Sequence, residues 1–275
     1  MHKCKTIAIC NQKGGVGKTT TTVNLGIGLA MQGKKVLLVD ADPQGDLTIS
    51  LGWKDNDNLP VTLANKISDF IQDRNSTPED AILHHKEGVD LIPSNLELSA
   101  LELSLVNAMS REIALKGYLN TIKSNYDYIL IDCMPSLSMI TVNALSAADS
   151  VIIPVQAQYL SAKGMTQLIQ TIAKVKRQIN PNLKIDGVLF TLVNNRTNLA
   201  KSTKDAIKFA YGKNVRIFDT SIPVAIKAAE TSSKGKSIFA YEPKSTVAQA
   251  YKKLTEEVLD IEKREKHRLH IEQFR

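Results

Sequence analysis

The sequence predicts an α/β fold, a mostly parallel twisted sheet with helices on both faces. Three observations lead there. Short runs rich in Val, Ile and Leu recur along the 275 residues, several nearly unbroken, as strands buried on both faces must be. Helix-length segments with apolar residues three and four apart lie between them. Alternation of the two calls for right-handed crossovers and parallel pairing.

In chain order, residues 6–10 form the first apolar run, residues 11–18 a Gly-rich turn, and residues 19–32 a helical segment. The run at 35–40 ends in Asp, and 54–60, "KDNDNLP", is the clearest loop. Further strands are expected at 89–93, 128–133, 150–155, 188–193 and 215–222, with helices at 167–179 and 203–211 among them. Residues 245–275 read as one long helix, apolar at Val247, Tyr251, Leu254, Val258 and Ile261 before turning mostly charged. No repeat, low-complexity tract or Pro/Gly linker interrupts the pattern. Residues 1–275 are therefore expected to be a single domain, with 245–275 a C-terminal helix and basic tail.

Composition narrows the class. Apolar residues make 43% and charged residues 23% of the chain, an ordinary globular balance. No apolar run nears the ~20 residues that span a bilayer, and residues 1–5 lack the features of a signal peptide; a cytoplasmic protein is expected. Cys4, Cys10 and Cys133 form no C-x-x-C pair or His/Cys cluster, so they read as small buried residues. The net charge of +7 is uneven. Residues 1–162 hold 13 Lys/Arg against 17 Asp/Glu, residues 163–275 hold 22 against 11. A basic C-terminal part points to a polyanion partner.

The chemistry concentrates in "ICNQKGGVGKTTTTVNLG", residues 9–26. Anchored on Gly17, Lys18 and Thr19, it is a phosphate-binding loop with Gln12 in place of the usual first glycine and a second lysine, Lys13, ahead of Gly14 and Gly15. Glycines let backbone N–H groups turn inward around an anion, and the helix that follows aims its own N–H groups at the same point. Lys18 is placed for the β/γ-phosphates and the Thr19 hydroxyl for Mg²⁺. Two later stretches, "KKVLLVDADPQGD" and "YDYILIDCMPS", put Asp40, Asp42 and Asp132 at the carboxyl ends of strands, where open parallel sheets bind ligands and where a carboxylate holds Mg²⁺ directly or through water.

These residues carry a resemblance. "KGGVGKTT" with its leading lysine, "VDADPQGD" and "ILIDCMPSL" resemble the ParA/MinD superfamily of deviant Walker-A P-loop ATPases. "SVIIPVQAQYLSAKGMTQL" and "GKSIFAYEPKSTVAQAY" resemble its ParA/Soj-like partition branch. The resemblance implies ATP and Mg²⁺ as cofactors, with Lys13, Gly14, Gly15, Val16, Gly17, Lys18, Thr19 and Thr20 around the nucleotide. It implies that Lys13 reaches in trans across an ATP-sandwiched homodimer, that Gly14 is small because subunits approach there, and that Asp42 orients the attacking water. Asp40 would lie near Mg²⁺ through water, Asp132 and Thr19 at the metal. Adenine would rest by Asn194, Asn195 and Pro223. The chain departs from the family at Met134, at Gln158-Tyr159, at Ala162-Lys163-Gly164 and at Val224.

Three functions compete on this footing. In the first, the ATP dimer of a DNA-partition ATPase binds double-stranded DNA nonspecifically, through candidates Arg196, Lys201, Lys204, Lys227, Lys234, Lys236 and Lys244. It releases DNA when a ParB-like centromere-binding partner stimulates an otherwise weak hydrolysis, giving a nucleoid-associated protein; operator-specific repression is not expected. In the second, a MinD-like membrane positioner, the tail supplies only Leu269, Ile271 and Phe274 as an apolar stripe, thin for an interfacial helix, so no membrane partner is expected. In the third, an iron-protein or amidoligase-like relative, Cys133 lacks the companion cysteines a cluster needs.

Overall fold

The structure is a computed structural model and describes residues 4–156, 161–194, 198–213 and 215–273. Arg196 and Asn195, the departure at Gln158-Tyr159 and the side chains of 162, 163, 269 and 271 lie outside what it describes, as does Phe274.

Among the described residues eight strands form one sheet: β1 (Lys5–Ile9), β2 (Val36–Ala41), β3 (Leu83–His84), β4 (Val89–Ile92), β5 (Tyr128–Cys133), β6 (Ser150–Gln156), β7 (Lys184–Val193) and β8 (Ile217–Pro223). Their order is β3-β4-β2-β5-β1-β6-β7-β8. Every neighbouring pair is parallel except β3 with β4. The seven expected strands are all present; the two-residue β3 is an addition. The helices are α1 (Lys18–Met31), α2 (Asp46–Ser50), α3 (Leu63–Ile71), α4 (Glu97–Leu105), α5 (Ala114–Ile122), α6 (Met139–Ala147), α7 (Ser161–Gln178), α8 (Asn198–Tyr211), α9 (Ile226–Lys234), α10 (Ile238–Tyr241) and α11 (Thr246–Gln273).

Successive strand residues point to opposite faces, and the cores divide accordingly. Ala8, Cys10, Leu37, Val39, Ile129 and Ile131 join the core that holds side chains of α3 to α8. Ile7, Ile9, Leu38 and Leu130 join the one built with α1, α10 and α11. All of these strand residues are essentially sealed from solvent, which is why the runs read as continuous hydrophobicity. The five apolar positions expected on the last helix are all buried against the second core. Gly26 lets α1 lie close on the sheet: a Cβ there would stand 2.5 Å from Leu38 Cδ2. At the outer edge, α11 reaches back to β8, where the Glu257 carboxylate accepts from the backbone N–H groups of Asp219 (3.0 Å) and Thr220 (2.8 Å).

Parallel pairing brings the carboxyl ends of β1, β2 and β5 to one rim. Ile9 and Asp132 are register partners, as are Asp40 and Asp132. Residues far apart in sequence thus meet where the glycine-rich turn begins.

Candidate nucleotide-binding site

The turn between β1 and α1 is braced from strands on its own side of the sheet. Asn11 Nδ2 donates to the Pro154 carbonyl at 2.6 Å, and its Oδ1 accepts the Lys13 N–H at 3.0 Å. Thr191 Oγ1, on β7, donates to the Val16 carbonyl at 2.7 Å. Gln156, the last residue of β6, donates through Nε2 to the Gly15 carbonyl (2.7 Å) and accepts the Lys13 ammonium on Oε1 (3.1 Å). Gly15 and Gly17 hold φ of +68° and +80°, a left-handed backbone that side chains resist. Gly17 caps α1 with no side-chain cap and no acid in the first turn, so the helix start keeps donors for an anion. Lys18 is buried and its Nζ donates to the Lys13 carbonyl at 3.3 Å.

Opposite stand two carboxylates with almost no exposure, Asp40 at 0% and Asp132 at 1%. Asp132 accepts from Thr22 Oγ1 at 3.3 Å and from the Thr19 hydroxyl. Burial pushes its carboxyl up to about 7, against the pull of Thr19 and Lys18. Asp40 accepts from Thr48 N (2.8 Å), Thr48 Oγ1 (2.7 Å) and Asp42 N (3.3 Å). Burial, then the charge of Asp132, raises it to about 8. Thr48 Oγ1 in turn accepts the Ser94 N–H at 3.0 Å, so β2, α2 and the turn after β4 are wired together. Asp42 is half-buried and accepts the Gln44 N–H at 3.0 Å. Asp46, raised by burial and then by Asp42, is a further acid near the site.

A divalent cation fits this set. Two buried carboxylates side by side favour a cation between them, and the Thr19 hydroxyl shares the spot. Among the described residues no cluster of three or more His, Cys, Asp or Glu side chains could hold a metal by itself. That matches Mg²⁺, which keeps several waters and relies on one or two protein oxygens plus phosphates. Asp40 already takes three donors, which suits contact through water.

The structure therefore gathers Lys13, Gly14, Gly15, Val16, Gly17, Lys18, Thr19, Thr20, Asp40, Asp42 and Asp132 at one rim. Asn194 and Pro223 lie together farther along it: Val193 and Pro223 are register partners, and Val224 N donates to the Val193 carbonyl. A groove of about 580 Å³ runs between β8 and α11 and shares only Pro223 with this set. The described basic candidates are spread over two helices, α8 and α9, and the two connections on either side of α10. Lys201, Lys234, Lys236 and Lys244 are exposed. Lys204 is engaged, 5.5 Å over the Phe190 ring and 3.3 Å from Ser221 Oγ, and Lys227 pairs with Glu242 at 2.6 Å. Sequence reasoning missed the braces Gln156, Thr191 and Thr48. It also missed that Cys10 and Cys133, both buried, meet through their sulfurs behind the loop.

Comparisons with known proteins bear on the family and the fold. The family described as "AAA domain" matches residues 4–185. The chain is 44% identical over 254 residues to the sporulation initiation inhibitor protein Soj of Bacillus subtilis, covering 92% of this chain and 98% of that protein. It is 38% identical over 261 residues to the chromosome partitioning protein ParA of Caulobacter vibrioides, covering 94% and 95%. A solved structure described as cobyrinic acid a,c-diamide synthase from Mycobacterium smegmatis, with bound ATP analog and magnesium, superposes with a TM-score of 0.81 at 36% identity, over 93% of this chain and 94% of that one. The loop with its extra lysine, the two aspartate-ended strands and relatives that match over more than nine-tenths of the chain place it in the ParA/MinD superfamily of deviant Walker-A P-loop ATPases, in the ParA/Soj-like partition branch.

Proposed function

We propose that this chain is a Mg²⁺-dependent ATPase of a DNA-partition system, acting as one domain over residues 1–275. The observation that carries the reading is the buried Asp40–Asp132 pair facing Lys18 and Thr19 across the glycine-rich turn, in a chain whose relatives include a chromosome partitioning protein. The turn's backbone N–H groups and the start of α1 hold the phosphates. Lys18 leaves the Lys13 carbonyl for the β/γ-phosphates. Thr19 and Asp132 would hold Mg²⁺, with Asp40 acting through water, and the bound ion would supply charge neutralisation at the transferring phosphoryl group. Asp42 orients the attacking water. Asn194 and Pro223 flank the base.

Lys13 acts in trans, supplying positive charge to the second subunit's nucleotide in an ATP-sandwiched dimer. Gly14 supports this. Its φ is not left-handed and a Cβ there would meet nothing within 4 Å of its own chain. That open space leaves room for an approaching subunit. The dimer joins two basic surfaces around α8 and α9, and nonspecific duplex DNA binds there through phosphate contacts. A ParB-like partner stimulates hydrolysis and release.

The test is duplex binding by Asp42→Ala with ATP-Mg²⁺ against ADP-Mg²⁺ at two salt concentrations. Binding only with ATP, collapsing as salt rises, is expected. No binding in either state despite an ATP dimer would remove the DNA reading. The runner-up is a MinD-like positioner, checked by binding to anionic liposomes with and without residues 263–275. Among the described residues no helix is long and apolar enough to cross a membrane.

A further inference from the structure

Gln156 makes two contacts with the phosphate loop through one amide group. Nε2 donates to the Gly15 carbonyl at 2.7 Å and Oε1 accepts the Lys13 ammonium at 3.1 Å. The first holds the loop's backbone. The second holds the ammonium that the trans mechanism needs elsewhere. The base of Gln156 cannot follow the lysine outward, because β6 pairs with β1 and β7 and Val155 beside it is fully buried. The trans role proposed for Lys13 places that ammonium on a second subunit's phosphates, away from Gln156.

We infer that Gln156 is a positioning residue that parks Lys13 in cis, and that ATP-dependent dimerisation must break the Lys13–Gln156 hydrogen bond in each subunit. This rests on the trans role proposed for Lys13. It gives the glutamine two opposed effects: shaping the turn for phosphate, and setting a threshold that the dimer must overcome. A hydrogen bond to an ammonium resists breaking, and partial exposure weakens it to about fivefold per subunit. Two are released per symmetric dimer, so removing them should tighten dimerisation about 25-fold.

The test is Gln156→Met in the Asp42→Ala background. Methionine fills a similar volume but neither donates to Gly15 nor holds the ammonium strongly. Gln156 is only half-buried, so the core is spared. Sedimentation at saturating ATP-Mg²⁺ reads the dimerisation constant, a fluorescent nucleotide reads monomer affinity separately, and mass spectrometry reads the acylation rate of Lys13 by an amine-reactive ester. Parking predicts a tighter dimer and faster acylation of Lys13. A purely scaffolding glutamine predicts a dimer that is weaker or unchanged, with acylation unchanged; either result overturns the inference. If the Asp42→Ala parent fails to dimerise with ATP, or if Lys13→Ala in that background dimerises equally well, the trans role itself falls and this inference with it. A parent that dimerises through Lys13 beside an unaltered Gln156→Met variant defeats the parking role alone.

Discussion

Thr48→Val isolates one hydroxyl at the heart of the site. Valine matches threonine in shape, so no cavity opens; what disappears is the 2.7 Å bond to Asp40 and the acceptor for Ser94 N–H. Thr48, Asp40 and Ser94 are all fully buried, so water does not replace either bond. Loss of a hydrogen bond to a charged group costs about 1.5–3 kcal/mol, and an orphaned buried N–H about 1–3 kcal/mol. The two share one atom and do not add fully, leaving about 2–4 kcal/mol. The backbone bond from Thr48 N remains, so the Asp40 carboxyl is weakened in its support, not freed. Its ordinary 3.8 is raised to about 8, and the Thr48 hydroxyl is among the groups that restrain that rise. The cost should therefore be larger at about pH 9, where the carboxyl is anionic, than at about pH 6. Urea unfolding at both pH values measures it, with Thr48→Ser as the control that keeps the hydroxyl. If valine and serine variants unfold alike at both pH values, the hydroxyl carries no such role and the wiring between β2 and the turn after β4 is wrong.

Other expectations follow from the same geometry. Lys13→Ala should leave monomer nucleotide binding nearly intact but lower ATP turnover by about 10²-fold or more, as loss of a charge-stabilising group does; single-turnover kinetics beside nucleotide titration separates the two. Asp42→Ala should bind ATP and hydrolyse it far more slowly, leaving a persistent dimer by sedimentation; normal turnover would remove its water-orienting role. In metal-free buffer, stability should fall as pH rises from about 4 to about 8, because the folded chain holds protons on Asp40 (about 8) and Asp132 (about 7) that the unfolded chain releases. Calorimetry across that range should show the decline, and Asp40→Asn should flatten it. Gly26→Ala should cost about 1–3 kcal/mol by overpacking against Leu38, seen as a lower Tm.

What the sequence made legible was whatever a residue type dictates by itself. Unbroken Val, Ile and Leu mark strands covered on both faces, and the strand positions follow. Gly15, Gly17, Lys18 and the strand-ending aspartates announce phosphate chemistry because few other uses require them together. β7 begins at Lys184, four residues before its apolar run at 188, and the reason is physical. Asp186 is buried in a 2.9 Å ion pair with Lys5 and accepts from Ser150 Oγ at 2.8 Å, so a strand residue read as polar. α7 likewise starts at Ser161, ahead of its apolar periodicity. The braces were hidden for another reason. Gln156 and Thr191 meet the glycine-rich turn across 141 and 175 residues of chain, and only the strand order brings them there. Nothing in a lone glutamine or threonine signals that partner.

The Glu257 carboxylate on β8 has a bearing on how copies of this chain can associate. An outermost strand offers free N–H groups as a template for strands from other molecules. Here two consecutive donors are stoppered by a carboxylate delivered from the last helix, and on the far side the sheet ends in a strand of two residues. Neither margin offers a long ladder to extend. Growth by sheet continuation is thereby disfavoured at both margins. The proposed nucleotide-dependent dimer uses the other route, the rim where the loops lie and where association can be made to depend on a small molecule.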